Sequence, residues 1–145
     1  MSSADQPYPT LYRAGARSKQ QAASIRRFTD LICWQKGHEL VLRVYSETGS
    51  FPSDEKFALT SQMRRAAVSI TSNVAEGFSR HSLADKKHFY TMAQGSLTEL
   101  QNQLLIARDL QYLKRKNFSE LAQLAVLDHK LLTGLIKSTD GTHAS

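Results

Sequence analysis

Apolar residues recur every three or four positions through most of the chain after Phe28, and no segment alternates with a period of two, so the pattern predicts helices and no sheet. Leu31, Trp34, Val41 and Tyr45 share one face of a first helix that ends near Thr48-Gly49-Ser50. FPSDE then reads as a turn, with Ser53 or Asp54 as N-cap and acidic residues where the helix dipole favours them. A second helix puts Phe57, Met63, Ala66, Ile70, Val74 and Phe78 inward and stops around Gly77, because glycine enters the left-handed conformation without a Cβ penalty.

Ser82 to Asp85 resembles a capping box and opens a third helix with Phe89, Met92, Ala93, Leu97, Leu100, Leu104 and Ala107 inward. That helix is expected to run to about Leu113, with Lys114, Arg115 and Lys116 suiting the negative end of its dipole. Asn117 or Ser119 then caps a fourth helix facing inward with Leu121, Leu124, Leu131 and Leu135. Four helices joined by short connections predict an all-α, antiparallel up-down-up-down four-helix bundle over residues 28–138.

Polar positions carry a second pattern. Gln62, Arg65, Ser69, Asn73 and Glu76 follow steps of three and four, the spacing of a packing seam. In a hairpin of helices two and three, facing residues should have numbers summing to about 161. Gln62 and Arg65 then fall opposite Ser96 and Glu99, and Ala66 faces Gly95. Buried polar groups need partners, so Arg65 is expected to pair with Glu99, Glu76 with Arg80 or the basic start of helix three, and Asn73 with a neighbouring backbone or side chain. Gly95 lies inside a helix, where close backbone approach would offset its poor propensity.

Composition adds bounds. The 145 residues suffice for one domain with its own core, and the single cysteine, Cys33, excludes an intramolecular disulfide framework. No stretch has the length and apolarity of a membrane span, and the N-terminus lacks the apolar core of a signal peptide, so a cytoplasmic protein is expected. The net charge is +6, and residues 1–28 hold five basic residues against the single Asp5. Residues 1–27 read as a flexible basic arm, with a solvated tail or a transit peptide as the other readings, and residues 139–145 as a disordered C-terminal tail.

Catalytic and metal signatures are sparse. His81, Asp85 and His88 share a face, but only one Asp-x-x-His unit is present, beside two lysines, and no phosphate loop or nucleophile elbow occurs. No enzyme activity, metal or cofactor is expected. Cys33 reads as a small buried hydrophobe. The basic cluster Arg80, Lys86 and Lys87, with His81 and His88, lies near the turn between helices two and three, and the run Lys114, Arg115, Lys116 lies at the opposite end. These six cations are the expected contacts to nucleic-acid phosphates, without base-specific readout.

The segments FTDLICWQKGHELV, FPSDEKFALTSQMRRAAVSITSNVAEGFSR and FYTMAQGSLTELQNQL resemble the four-helix-bundle proteins of 23S rRNA intervening sequences from about Phe28 to Ile136. Gln62, Arg65, Ser69, Asn73, Ala75, Glu76 and Gly77, followed by Gly95, Ser96 and Glu99, carry the resemblance. It implies a homo-oligomeric ring, a pentamer, and distant kinship with accessory proteins of diversity-generating retroelements. In such a ring the polar seam would serve subunit assembly. The functional expectation is a non-enzymatic, oligomeric, RNA-associated or ribonucleoprotein accessory protein; the alternative is a protein-binding oligomeric scaffold with no nucleic-acid role.

Overall fold

A computed structural model describes residues 24–141. The described residues form α1 (Ile32–Thr48), α2 (Leu59–Ser79), α3 (Leu83–Asp109) and α4 (Arg115–Lys137), with single 3-10 turns at Phe28–Asp30 and Ser53–Glu55 and no strand. The expected arm up to residue 23 and tail from residue 142 lie outside the described residues. The part of the expected tail that is described belongs to the bundle: Thr139 is buried and Asp140 reaches Lys87 at 3.5 Å.

Neighbouring helices meet in opposite senses. In α1 and α2, Thr48 accepts from Arg64 while Gly37 lies against Thr71. In α2 and α3, Ser69 bonds Ser96 while Gly77 abuts Tyr90. Gln94 bonds Thr133 between α3 and α4, and Arg43 pairs with Glu120 between α1 and α4. This is a four-helix bundle closed on all four sides, as the apolar period predicts.

Leu40, Met63, Ile70, Leu97, Leu100, Leu104, Leu121 and Leu132 are fully buried. Each contributes about 1.5–3 kcal/mol by burial, so packing outweighs helix propensity here.

The inward faces differ in detail from those expected. On α1 the buried stripe is Cys33, Gly37, Leu40, Val44 and Thr48, while Trp34 and Val41 flank the core and Tyr45 is exposed. Trp34 stacks on His38 at 4.8 Å and meets Phe28 edge-on at 5.5 Å, an aromatic cap at the core's margin. Phe57 is 89% exposed, because α2 starts two residues later and Leu59 takes the inward place. Tyr90 replaces Met92 on the inward side of α3.

Helix α3 stops at Asp109, four residues earlier than expected. Gln111 takes a left-handed φ of 64°, its N–H bonds Arg108 O, and the Tyr112 N–H bonds Ala107 O. That pair of bonds is a Schellman ending with glutamine in the place glycine usually holds. Lys114, Arg115 and Lys116 therefore open α4, with Lys114 as its N-cap, and do not close α3.

Candidate nucleic-acid interface

The polar seam forms, one turn out of the expected register. The first turn of α3 projects past the end of α2, where the Lys86 ammonium caps the Phe78 carbonyl at 2.7 Å and the Gly77 carbonyl at 3.4 Å. Ser69, and not Arg65, therefore faces Ser96, with their hydroxyls 2.8 Å apart. Asn73 Nδ2 donates to Ser69 O at 2.9 Å and Ser69 Oγ at 3.0 Å. Glu76 binds Arg80 within its own chain segment, as expected. The expected Arg65–Glu99 pair is absent: Glu99 accepts from Gln103 at 3.2 Å, and Arg65 is exposed on the groove between α1 and α2. Gln62 and Glu76 are exposed while Ser69, Asn73 and Ser96 are half-buried, so the seam lies along the surface of the α2–α3 pair and not through the core.

Neither seam glycine has its expected role. Gly77 lies inside α2, and a Cβ there would sit 2.7 Å from Tyr90 Cε1 and 3.0 Å from Phe89 Cβ. It is the close-approach glycine. Gly95 is exposed, with nothing within 4 Å of a Cβ position among the described residues.

The basic residues divide into engaged and open groups. Lys86 is committed to the end of α2. Arg80 binds Glu76 and lies 4.6 Å over the Phe89 ring, and Lys87 reaches Asp140. Lys114, Arg115 and Lys116 are exposed at the positive end of α4. Cations there oppose the helix dipole at about 0.3–1 kcal/mol each, and together they concentrate positive potential at that end of the bundle. A third basic group, Lys56, Arg64 and Arg65, borders the α1–α2 groove at the same end. It escaped the charge-run reading because its members come from a loop and a helix and are not contiguous.

Asp128 is the polar residue that sequence reasoning missed. It is fully buried, neither carboxyl oxygen has a hydrogen-bond partner among the described residues, and Oδ2 would lie 3.2 Å from a Cβ on Gly37. Burial, aided by Glu39 and opposed by Lys36, pushes its pKa up to about 8. The signal was in the sequence: Leu121, Leu124, Asp128, Leu131 and Leu135 keep the three-four spacing of a core stripe. Gln103 is likewise buried, with Oε1 unpartnered among the described residues.

Among the described residues no group of three metal-ligating side chains converges, so His81, Asp85 and His88 form no such cluster. Cys33 is buried and its thiol is pushed up to about 12 by burial, then by Asp128, which removes thiolate reactivity near neutral pH. No described helix is long and apolar enough to cross a membrane.

The family described as 23S rRNA-intervening sequence protein matches this chain over residues 29–134. A crystal structure of a protein of unknown function from the S23 ribosomal protein family of Bacteroides thetaiotaomicron VPI-5482 shares the fold with a TM-score of 0.67 and 21% identity, covering 73% of this chain and 96% of that one. No curated protein matches.

Proposed function

Because this chain belongs to the 23S rRNA-intervening sequence protein family, we propose that it is a non-enzymatic, homo-oligomeric RNA-associated protein of the cytoplasm that holds backbone phosphates through Arg and Lys. The observation that carries this reading, beside the family, is the exposed triplet Lys114, Arg115 and Lys116 at the N-terminus of α4, where side-chain charge and helix dipole have the same sign. Arg80 and Lys87 add secondary charge at the other end, while Lys86 serves the fold.

Self-association is supported by large apolar side chains left in solvent, including Leu105, Ile106 and Leu110 after α3's midpoint and Val126 and Leu127 on α4. A ring, a pentamer in this reading, repeats each basic end around an axis and multiplies a weak single-subunit affinity. The scaffold alternative draws on the same apolar surface and on the half-buried Ser69–Ser96 seam, which suits subunit contact.

Replacing Lys114, Arg115 and Lys116 together by alanine separates the two. With these three phosphate-binding cations removed, the slope of log affinity for RNA against log salt should fall by about 2, at roughly 0.7–0.9 per neutralised phosphate. Unchanged affinity and slope in that variant would remove the triplet from the interface. Absence of RNA binding by the natural sequence at low salt would favour the scaffold.

A further inference from the structure

The groove between α1 and α2 combines two features that the other two basic clusters lack together: open cations and an aromatic ring with no packing role. Lys56, Arg64 and Arg65 border it, no carboxylate among the described residues lines it, and Tyr45 and Phe57 form its aromatic surface. Phe57 is the most exposed large apolar side chain among the described residues. Burial elsewhere in the fold does not explain it. The Lys56 ammonium lies 5.5 Å from the Phe57 ring centre, and the Arg64 guanidinium lies 4.6 Å over Tyr45 while its Nε donates to Thr48 Oγ1 at 2.9 Å. Arg64 is thus held over a ring, whereas Arg65 is exposed without an ion pair among the described residues. Glu55, the acid nearest in sequence to Lys56, is turned to the Leu59 N–H and does not neutralise the groove.

We propose that this groove binds single-stranded RNA, with an unpaired base stacked on Phe57 and the flanking phosphates held by Arg65 and Lys56. A cationic groove that tracks phosphates beside rings that accept any base is the general arrangement for single strands. A duplex keeps its bases stacked on one another and offers nothing to Phe57. The inference rests on the RNA-associated reading above and names the form of RNA that this groove takes.

The test uses the full chain and fluorescence anisotropy with labelled oligouridine and with an RNA duplex of equal length, for the natural sequence, Phe57→Ala, Arg65→Ala and the Lys114/Arg115/Lys116 alanine variant. Since Phe57 and Arg65 are exposed, circular dichroism and melting should be unchanged. Phe57→Ala should weaken oligouridine binding about 5- to 100-fold, the range of one base–aromatic stack, and leave duplex binding within about two-fold. Arg65→Ala should weaken both and take roughly 0.7 off the oligouridine salt slope. Phe57→Ala that binds oligouridine like the natural sequence, while the triplet variant loses binding, would overturn the groove and leave the functional reading intact. Binding of neither RNA by the natural sequence would overturn that reading itself, and the groove with it. A drop in assembly mass on Phe57→Ala would overturn the proposal in favour of a second copy of the chain in the groove.

Discussion

Asp128→Asn should make the bundle more stable at pH 7 by about 2–4 kcal/mol and abolish most of its pH dependence between about 4 and 8. The reason is a proton. Folding carries the Asp128 carboxyl into a site without hydrogen-bond partners among the described residues, next to Gly37 and within the influence of Glu39, Lys36 and Cys33, and its pKa rises to about 8. In the unfolded chain the same group titrates near 4. Between these values the native state holds a proton that the unfolded state releases, so stability falls with rising pH at up to about 1.4 kcal/mol per pH unit. Stability is full below the lower value and the loss is complete above about 8, where Asp128 is ionised in both states.

Asparagine keeps the volume and the unpartnered polar atoms but cannot ionise, so the two chains should be level near pH 4 and diverge above it. His38 works in the opposite direction, since burial lowers its pKa and stability rises as pH passes through its range. Subtracting the variant's urea-unfolding profile from that of the natural sequence, at fixed protein concentration, isolates Asp128 from His38. Parallel profiles from pH 5 to 8 would show that Asp128 has a partner or water that the bundle interior does not display.

The second large effect concerns Gly77. Alanine there places its methyl 2.7 Å and 2.8 Å from Tyr90 ring carbons, and Tyr90 is only 3% exposed, so the ring has no solvent to swing into. Overpacking costs about 1–3 kcal/mol and outweighs the gain of about 1 kcal/mol from replacing a helical glycine. Gly77→Ala should therefore lose on the order of 1–2 kcal/mol, and Gly77→Val more, through parting of the α2–α3 hairpin. Gly95→Ala supplies the contrast: with no neighbour within 4 Å among the described residues it should gain up to about 1 kcal/mol. Thermal melting of the three variants gives the order. A Gly77→Ala melt equal to the natural one would show that Tyr90 can move, and a loss at Gly95 would show a neighbouring subunit there.

Helix number, order and approximate bounds were legible because leucine, isoleucine and valine recur with a strong 3.6-residue period. The α1 face was misread because the large side chains Trp34 and Tyr45 dominate the apolar pattern, while the true stripe runs through Cys33, Gly37 and Thr48, whose side chains are small. Gln111 hides the end of α3, since the left-handed position carries no glycine to announce it. That single hidden stop moved the basic triplet from the end of one helix to the start of the next. The seam residues were legible by spacing, yet their partners were not: an extra turn at the start of α3 shifted the register and left Arg65 without Glu99. Asp128 was passed over because a lone acid in a leucine stripe looks like a gap in the pattern, although its spacing marks it as core.

An oligomeric, phosphate-binding bundle is tested most directly by the mass of the purified full chain in light scattering, with and without a short RNA hairpin carrying an unpaired loop, at low and at moderate salt. The expected mass is a multiple of the 16.3 kDa subunit, and it should rise with RNA at low salt, less as salt increases. A monomer, or an oligomer whose mass RNA leaves unchanged even at low salt, would contradict it.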